Sequence, residues 1–159
     1  MKTLIVYYSL EGNTKWAAET LAEKLGADTL RLVPVAAYPD KGFKKFLFGG
    51  KSAVMKETPE LEPYEVDITQ YGRVVLATPV WAGTLAPPLR TFIQKEDLTG
   101  KRLALVASSM GGSPGRTFDN LKALLGVTED VPTLSLKDPK SHPSPANDAA
   151  LATFCEKLT

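Results

Sequence analysis

Short apolar runs of strand length alternate along the chain with segments whose apolar residues recur every three or four positions. Thr3-Leu4-Ile5-Val6-Tyr7-Tyr8 predicts a first strand. Residues Thr14–Leu25 predict a helix, with Ala17, Ala18, Leu21, Ala22 and Leu25 on one face and Gly26 as its stop. Further strands are predicted over Thr29–Val33, Arg73–Thr78, Arg102–Ser108 and Val131–Leu136. Helices are predicted over Leu85–Gln94, Arg116–Leu125 and Pro145–Leu158. This alternation calls for βαβ units and a parallel sheet.

The texture of the strands orders them. The first, third and fourth are nearly continuous apolar runs, as expected of strands covered on both faces. The second alternates, with Arg31 between Leu30 and Leu32. The fifth also alternates and carries Pro132, which belongs at an edge because it cannot donate to a ladder. Edges at two and five give the order 2-1-3-4-5 in a doubly wound α/β/α sandwich. Ligands of such a sheet bind outside the carboxyl ends of strands one and three, where the winding reverses. Three loops therefore carry the candidate chemistry: Ser9–Thr14, Thr78–Thr84 and Ser108–Gly115.

Composition narrows the picture. A chain of 159 residues, 43% hydrophobic and 23% charged, suits one globular domain over residues 1–159 and argues against disorder. A formal net charge of +1 gives no general pull toward nucleic acid or an anionic membrane. One cysteine and one histidine leave no internal disulfide and no expected metal site. No apolar run reaches the roughly 18–20 residues of a membrane span, and Thr3–Tyr8 is too short for a signal-peptide core, so a cytoplasmic location is expected.

The first loop, Ser9-Leu10-Glu11-Gly12-Asn13-Thr14, offers backbone N–H groups at a helix N-terminus, a ready anion site. It also reads as a plain strand-to-helix turn with Asn13 or Thr14 as cap. Lys15 is the one cation nearby in sequence, so an anion here is expected to meet neutral donors. The second loop, Thr78-Pro79-Val80-Trp81-Ala82-Gly83-Thr84, places a tryptophan at the crevice mouth, a flat wall for a planar ligand. Trp16, on the first helix, reads as packing. The third, Ser108-Ser109-Met110-Gly111-Gly112-Ser113-Pro114-Gly115, permits close backbone approach but lacks a dinucleotide fingerprint.

Taken together, S-x-E-G-N-T after the first strand, T-P-V-W-A-G after the third and S-S-M-G-G after the fourth resemble the three FMN-binding loops of the flavodoxin family. The resemblance spans nearly the whole chain and implies a non-covalently bound FMN. It implies that Ser9, Leu10, Glu11, Gly12, Asn13 and Thr14 hold the phosphate. Thr78, Pro79, Val80, Trp81, Ala82 and Gly83 would flank the isoalloxazine, with Ser109, Met110, Gly111 and Gly112 at its other edge. It further implies an electron-transfer protein working with redox partner proteins or a small-molecule acceptor. The alternative is an NAD(P)H-dependent FMN or quinone reductase using the same flavin. The chain departs from the family pattern in three places. Glu11 stands where Thr is common, and a carboxylate beside a phosphate is repelled unless it turns away. The third loop carries no aromatic residue, and Glu11 is the only acid in the three loops.

Other uses of this topology fail on particular residues. A phospho-receiver domain needs acids ending strands one and three, where this chain has Tyr8-Ser9 and Thr78-Pro79. A low-molecular-weight tyrosine phosphatase needs a cysteine in the first loop. A protein-interaction module with a degenerate site is the least favoured reading. The stretch Lys41–Lys51 interleaves lysines with aromatic residues and reads as a second crossover helix with a solvated lysine face, or as a lid on the crevice. His142 reads as a surface loop residue, and Cys155, in a stripe with Leu151, Phe154 and Leu158, as a packed core thiol.

Overall fold

The structure is a computed structural model that describes the backbone of residues 1–159 and every side chain except those of Phe43 and Phe46. Six strands and five α-helices follow in chain order: β1 (Thr3–Tyr7), α1 (Asn13–Leu25), β2 (Asp28–Arg31), α2 (Gly42–Val54), β3 (Arg73–Trp81), β4 (Thr84–Leu85), α3 (Pro87–Lys95), β5 (Arg102–Ser109), α4 (Thr117–Leu125), β6 (Thr133–Lys137) and α5 (Pro145–Leu158). The parallel sheet runs β2-β1-β3-β5-β6, which is the expected order with one added element. That element is β4, a two-residue strand antiparallel to the end of β3.

The pleat sorts the central strands onto two cores. Leu4, Val6, Val74, Leu76 and Leu105 point to one face, where Leu85, Leu89, Phe92 and Leu121 cover them. Ile5, Tyr7, Val75, Ala77, Ala104 and Val106 point to the other, beneath Ala17, Ala18, Leu21, Leu151 and Phe154. Trp16 packs partly buried against this second core, as its position on α1 predicts. Cys155 meets the same core from its margin and is only partly buried, so its thiol is not a core group proper.

Four boundaries differ from expectation by two residues or more, each for a local reason. The second strand stops at Arg31: after Leu32 N–H donates to Tyr7 O at 2.8 Å, the chain turns to pair Val35 N–H with Glu60 O and Glu62 N–H with Val33 O. Pro132 lies before β6, where its carbonyl accepts from Leu105 N–H at 2.9 Å and its missing N–H is no loss. The third strand continues through Pro79 to Trp81, because Val80 and Trp81 pair with Leu85 and Thr84. For that reason α3 begins at Pro87 and not at Leu85, and Pro87-Pro88 occupy first-turn positions that need no N–H. The second predicted loop is therefore a hairpin. Its two turn residues, Ala82 and Gly83, have φ of 50° and 75°, the positive pair that a type I′ turn requires.

The basic aromatic segment is helical, as α2, and it packs on the edge of the first core beside Trp81. The side chains of Phe43 and Phe46 in that motif lie outside the described residues. Among the described residues no helix is long and apolar enough to cross a membrane.

Candidate functional site

The carboxyl ends of β1, β3 and β5 open into a cleft lined by residues from the loops that follow all three strands. The topology puts it there: β1 and β3 are neighbours whose crossovers leave on opposite faces, so their C-terminal loops diverge and leave a gap.

At one end lies the turn into α1. Gly12 takes φ 102° as the N-cap, and the helix has no side-chain cap, so neither Asn13 nor Thr14 plays that part. The first helical bond is Trp16 N–H to Gly12 O at 2.9 Å, which leaves the preceding N–H groups of the first turn without intrahelical partners. Ser9 Oγ accepts from Gly12 N–H at 3.1 Å and closes the turn. Thr14 Oγ1 and Ser108 Oγ share a buried hydrogen bond of 2.8 Å, which ties the start of α1 to the end of β5.

The opposite wall is apolar. Pro79, Val80, Trp81 and Ala82 line it. Trp81 is fixed by edge contacts to Tyr8 and Tyr38, with ring centroids 5.5 and 5.0 Å away. Gly49 of α2 closes against the indole, since a Cβ there would stand 3.3 Å from its six-membered ring. Burial pushes the phenol of Tyr8 far above its ordinary range and raises that of Tyr38 as well, so both rings stay neutral behind the indole. Met110 extends the rim with 61% of its surface exposed.

Of the residues singled out in sequence, Ser9, Leu10, Glu11, Asn13, Thr14, Pro79, Val80, Trp81, Ala82, Ser109 and Met110 share this one cleft. Gly12, Thr78, Gly83, Gly111 and Gly112 do not line it. Thr78 is fully buried behind the wall, where its hydroxyl donates to Pro79 O and accepts from Ala86 N–H. Gly83 is the hairpin tip, nested so closely on Gly115 that a Cβ on Gly115 would fall 2.8 Å from Gly83 O. Gly112 packs on β6, with its carbonyl accepting from Ser135 Oγ at 2.6 Å.

The electrostatics differ from the sequence expectation in two respects. Lys15 reaches along its own helix toward Glu19, 3.9 Å away, whereas cations from elsewhere meet the first loop: Lys45 of α2 lies 2.8 Å from Glu11, and the Arg31 guanidinium donates to Ser9 O at 3.3 Å. The Glu11 carboxylate is thus turned onto α2. Glu11 is also not the only acid at the cleft, because Asp138, just after β6, lines it too. Of the other lining positions, Ser108 opens the third predicted loop, Lys45 and Gly50 belong to the Lys41–Lys51 segment read as a helix or a lid, and Asp138 lies outside every segment singled out for the crevice. The sheet order alone contained a signal for Asp138, since β6 ends beside β5 and its loop must border the same crevice.

Asn13 is the junction between the first loop and that last one. Its Oδ1 accepts from Lys140 N–H at 2.9 Å and Ser141 N–H at 3.1 Å, and its Nδ2 donates to Asp138 Oδ1 at 3.4 Å. His142 stays on the surface, its side chain 76% exposed and its Nδ1 3.8 Å from Asp138. Among the described residues, two buried side-chain oxygens find no partner, Ser109 Oγ and Thr117 Oγ1, and the first of these belongs to a cleft residue. A buried hydroxyl left unpaired costs about 1–3 kcal/mol, so a ligand that satisfies Ser109 has an energetic reason to bind.

Comparison with known proteins agrees with this architecture. A candidate flavoprotein from Bacteroides eggerthii is 22% identical, with 99% of this chain and 97% of that one covered at a TM-score of 0.76. A flavoprotein from Lactobacillus acidophilus, solved in complex with FMN, is 20% identical over 88% of this chain and 95% of its own, at 0.66. A flavodoxin from Streptococcus pneumoniae is 17% identical over 99% and 97%, at 0.62. At these identities the likeness establishes the fold. The family model described as flavodoxin matches residues 2–157, and with that match over nearly its full length the chain belongs to the flavodoxin family.

Proposed function

We propose that the cleft binds one FMN without a covalent link and that the protein is an electron carrier. The observation that carries this reading is the union, in one cleft, of an uncapped helix N-terminus with a tryptophan wall on the far side. The two ends suit the two ends of FMN, a phosphate and a planar ring. Ser109, whose buried Oγ lacks a partner, fits a polar group of the ligand between them.

Flavin bound here supplies reversible electron uptake and release. The chain's own residues bind, orient and shield. The N–H groups of the first turn of α1 that have no intrahelical partner serve the anionic end, where the helix dipole favours negative charge, while the Gly12 N–H is held by Ser9 Oγ. Pro79, Val80 and Trp81 keep water from one side of the ring, and the tyrosines behind Trp81 hold the indole in place. Thr78 works at one remove, by fastening the start of α3 to the strand that carries the wall.

The carrier reading over the reductase reading rests on exposed apolar side chains. Met110 and, on α2, Leu47 and Phe48 are at least half exposed, apolar surface of the kind that meets another protein. The partners we propose are accordingly redox proteins. Mixing the FMN-loaded protein with NADH and with NADPH in a stopped-flow instrument tests the choice. Flavin absorbance that persists for many seconds with both nucleotides supports the carrier, and rapid bleaching by either one establishes a reductase.

A further inference from the structure

We infer that the loop after β6 is a fourth wall of the flavin site and that Lys140 is the cation for its phosphate. This inference rests on the FMN reading and adds to it a recognition residue outside the three family loops.

The argument begins with Gly12. Its N-cap position leaves space where a side chain would stand, and Lys140 fills that space. A Cβ built on Gly12 would lie 2.9 Å from Lys140 Nζ, 3.2 Å from Cδ and 3.6 Å from Cε. The ammonium therefore sits at the first turn of α1, the positive end of the helix dipole. A cation there is unfavourable by itself, because that end of a helix attracts anions and repels positive charge.

No ion pair to Lys140 offsets the repulsion among the described residues. The first turn of α1 has no acidic residue. Glu11 is turned to Lys45 at 2.8 Å. Asp138 faces Asn13 and His142. Among the described residues Lys140 has no carboxylate within ion-pair distance. Two sources of positive potential thus converge on the turn beside Asn13 and Asp138, which line the cleft, although Gly12 and Lys140 themselves stand just outside its lining. A dianionic phosphate at that point satisfies both.

The lysine's position is built in at its root. Asn13 Oδ1 takes the backbone N–H groups of Lys140 and Ser141, so the lysine leaves the chain from a point fastened to the phosphate turn. Asp138, at φ 34°, makes the bend that brings the loop back over α1. Asn13 acts as a positioning residue, since its side-chain acceptor is spent on the loop and its backbone N–H is what faces the ligand.

The test titrates the ligand-free protein with FMN and with riboflavin at low and high salt, for wild type, Lys140→Gln, Lys140→Arg and, as a control, Lys15→Gln. Lys140→Gln is expected to weaken FMN roughly tenfold at low salt, to flatten the salt dependence, and to leave riboflavin unchanged, as loss of one charge-assisted bond requires. Lys140→Arg restores most of the affinity, and Lys15→Gln matches wild type. Inorganic phosphate should raise the melting temperature of the wild type and do so much less in Lys140→Gln. If FMN affinity and salt dependence survive Lys140→Gln while wild type prefers FMN to riboflavin, the inference falls and the FMN reading stands. If wild type binds neither flavin, the FMN reading itself falls, and a phosphate response that is the same in both proteins removes the lysine's role independently.

Discussion

The two tryptophans separate function from packing more cleanly than any other pair of residues here. Trp81 lies in the cleft wall with its ring held by Tyr8, Tyr38 and Gly49, whereas Trp16 packs on the second core away from the cleft. Trp81→Ala is expected to weaken FMN binding by at least about 1 kcal/mol, the scale of an aromatic pair beyond simple area burial. Trp16→Ala should lower stability and leave FMN affinity close to wild type. Flavin fluorescence gives the readout, because an indole against the ring quenches it. Quenching that survives Trp81→Ala but disappears in Trp16→Ala would mean the ring sits elsewhere. The serines, Trp81 and the first loop were legible in the sequence because they are consecutive residues at strand ends. Asp138 and Lys140 were not, because nothing local marks them, and Lys45 was visible only as one lysine of a basic segment that could be a helix or a lid. Asn13 meets Lys140 across 127 positions of chain, and only the sheet order brings the two together.

At the scale of elements the same distinction holds between what a strand pattern states and what a turn decides. Strand order was readable from which runs were apolar throughout and which carried Arg31 or Pro132. The hairpin was not, because Thr78-Pro79 looks like the end of a strand and β4 is only two residues long. Its turn carries a local strain: Ala82 sits at φ 50°, where a side chain with a Cβ is about 1–2 kcal/mol worse than in the right-handed region. Ala82→Asn would produce Asn-Gly, the pair best suited to this turn, and residue 82 is exposed, so the new amide has room. We expect the variant to melt higher by a few degrees, corresponding to roughly 0.5–1 kcal/mol. A differential scanning calorimetry trace that shows no gain would mean the hairpin relaxes the strain by other means.

The whole molecule has a pH response written in its tyrosines. All five, Tyr7, Tyr8, Tyr38, Tyr64 and Tyr71, hold their protons above the ordinary phenol range. Burial is the leading cause in the first four, and in Tyr71 it is the hydrogen bond to Asp28 Oδ2 at 2.7 Å. The folded chain therefore binds these protons more tightly than the unfolded chain does. The stability they represent is complete below pH ~10, the unfolded value, and is lost as pH rises through it toward the folded values. Tyrosinate absorbance and circular dichroism should change together in an alkaline titration. Tyrosinate that appears near pH ~10 while the fold remains intact would contradict these environments. The largest-scale feature is that the cleft takes residues from the ends of β1, β3 and β5 and from the loop behind β6, the last strand to be made. A chain emerging from the ribosome has its phosphate turn early and its tryptophan wall midway, but the Lys140–Ser141 clamp on Asn13 forms only when the final third has been synthesised. Cofactor capture is then a late event in the life of each new molecule, and truncation ahead of residue 138 should yield chains that never acquire a flavin.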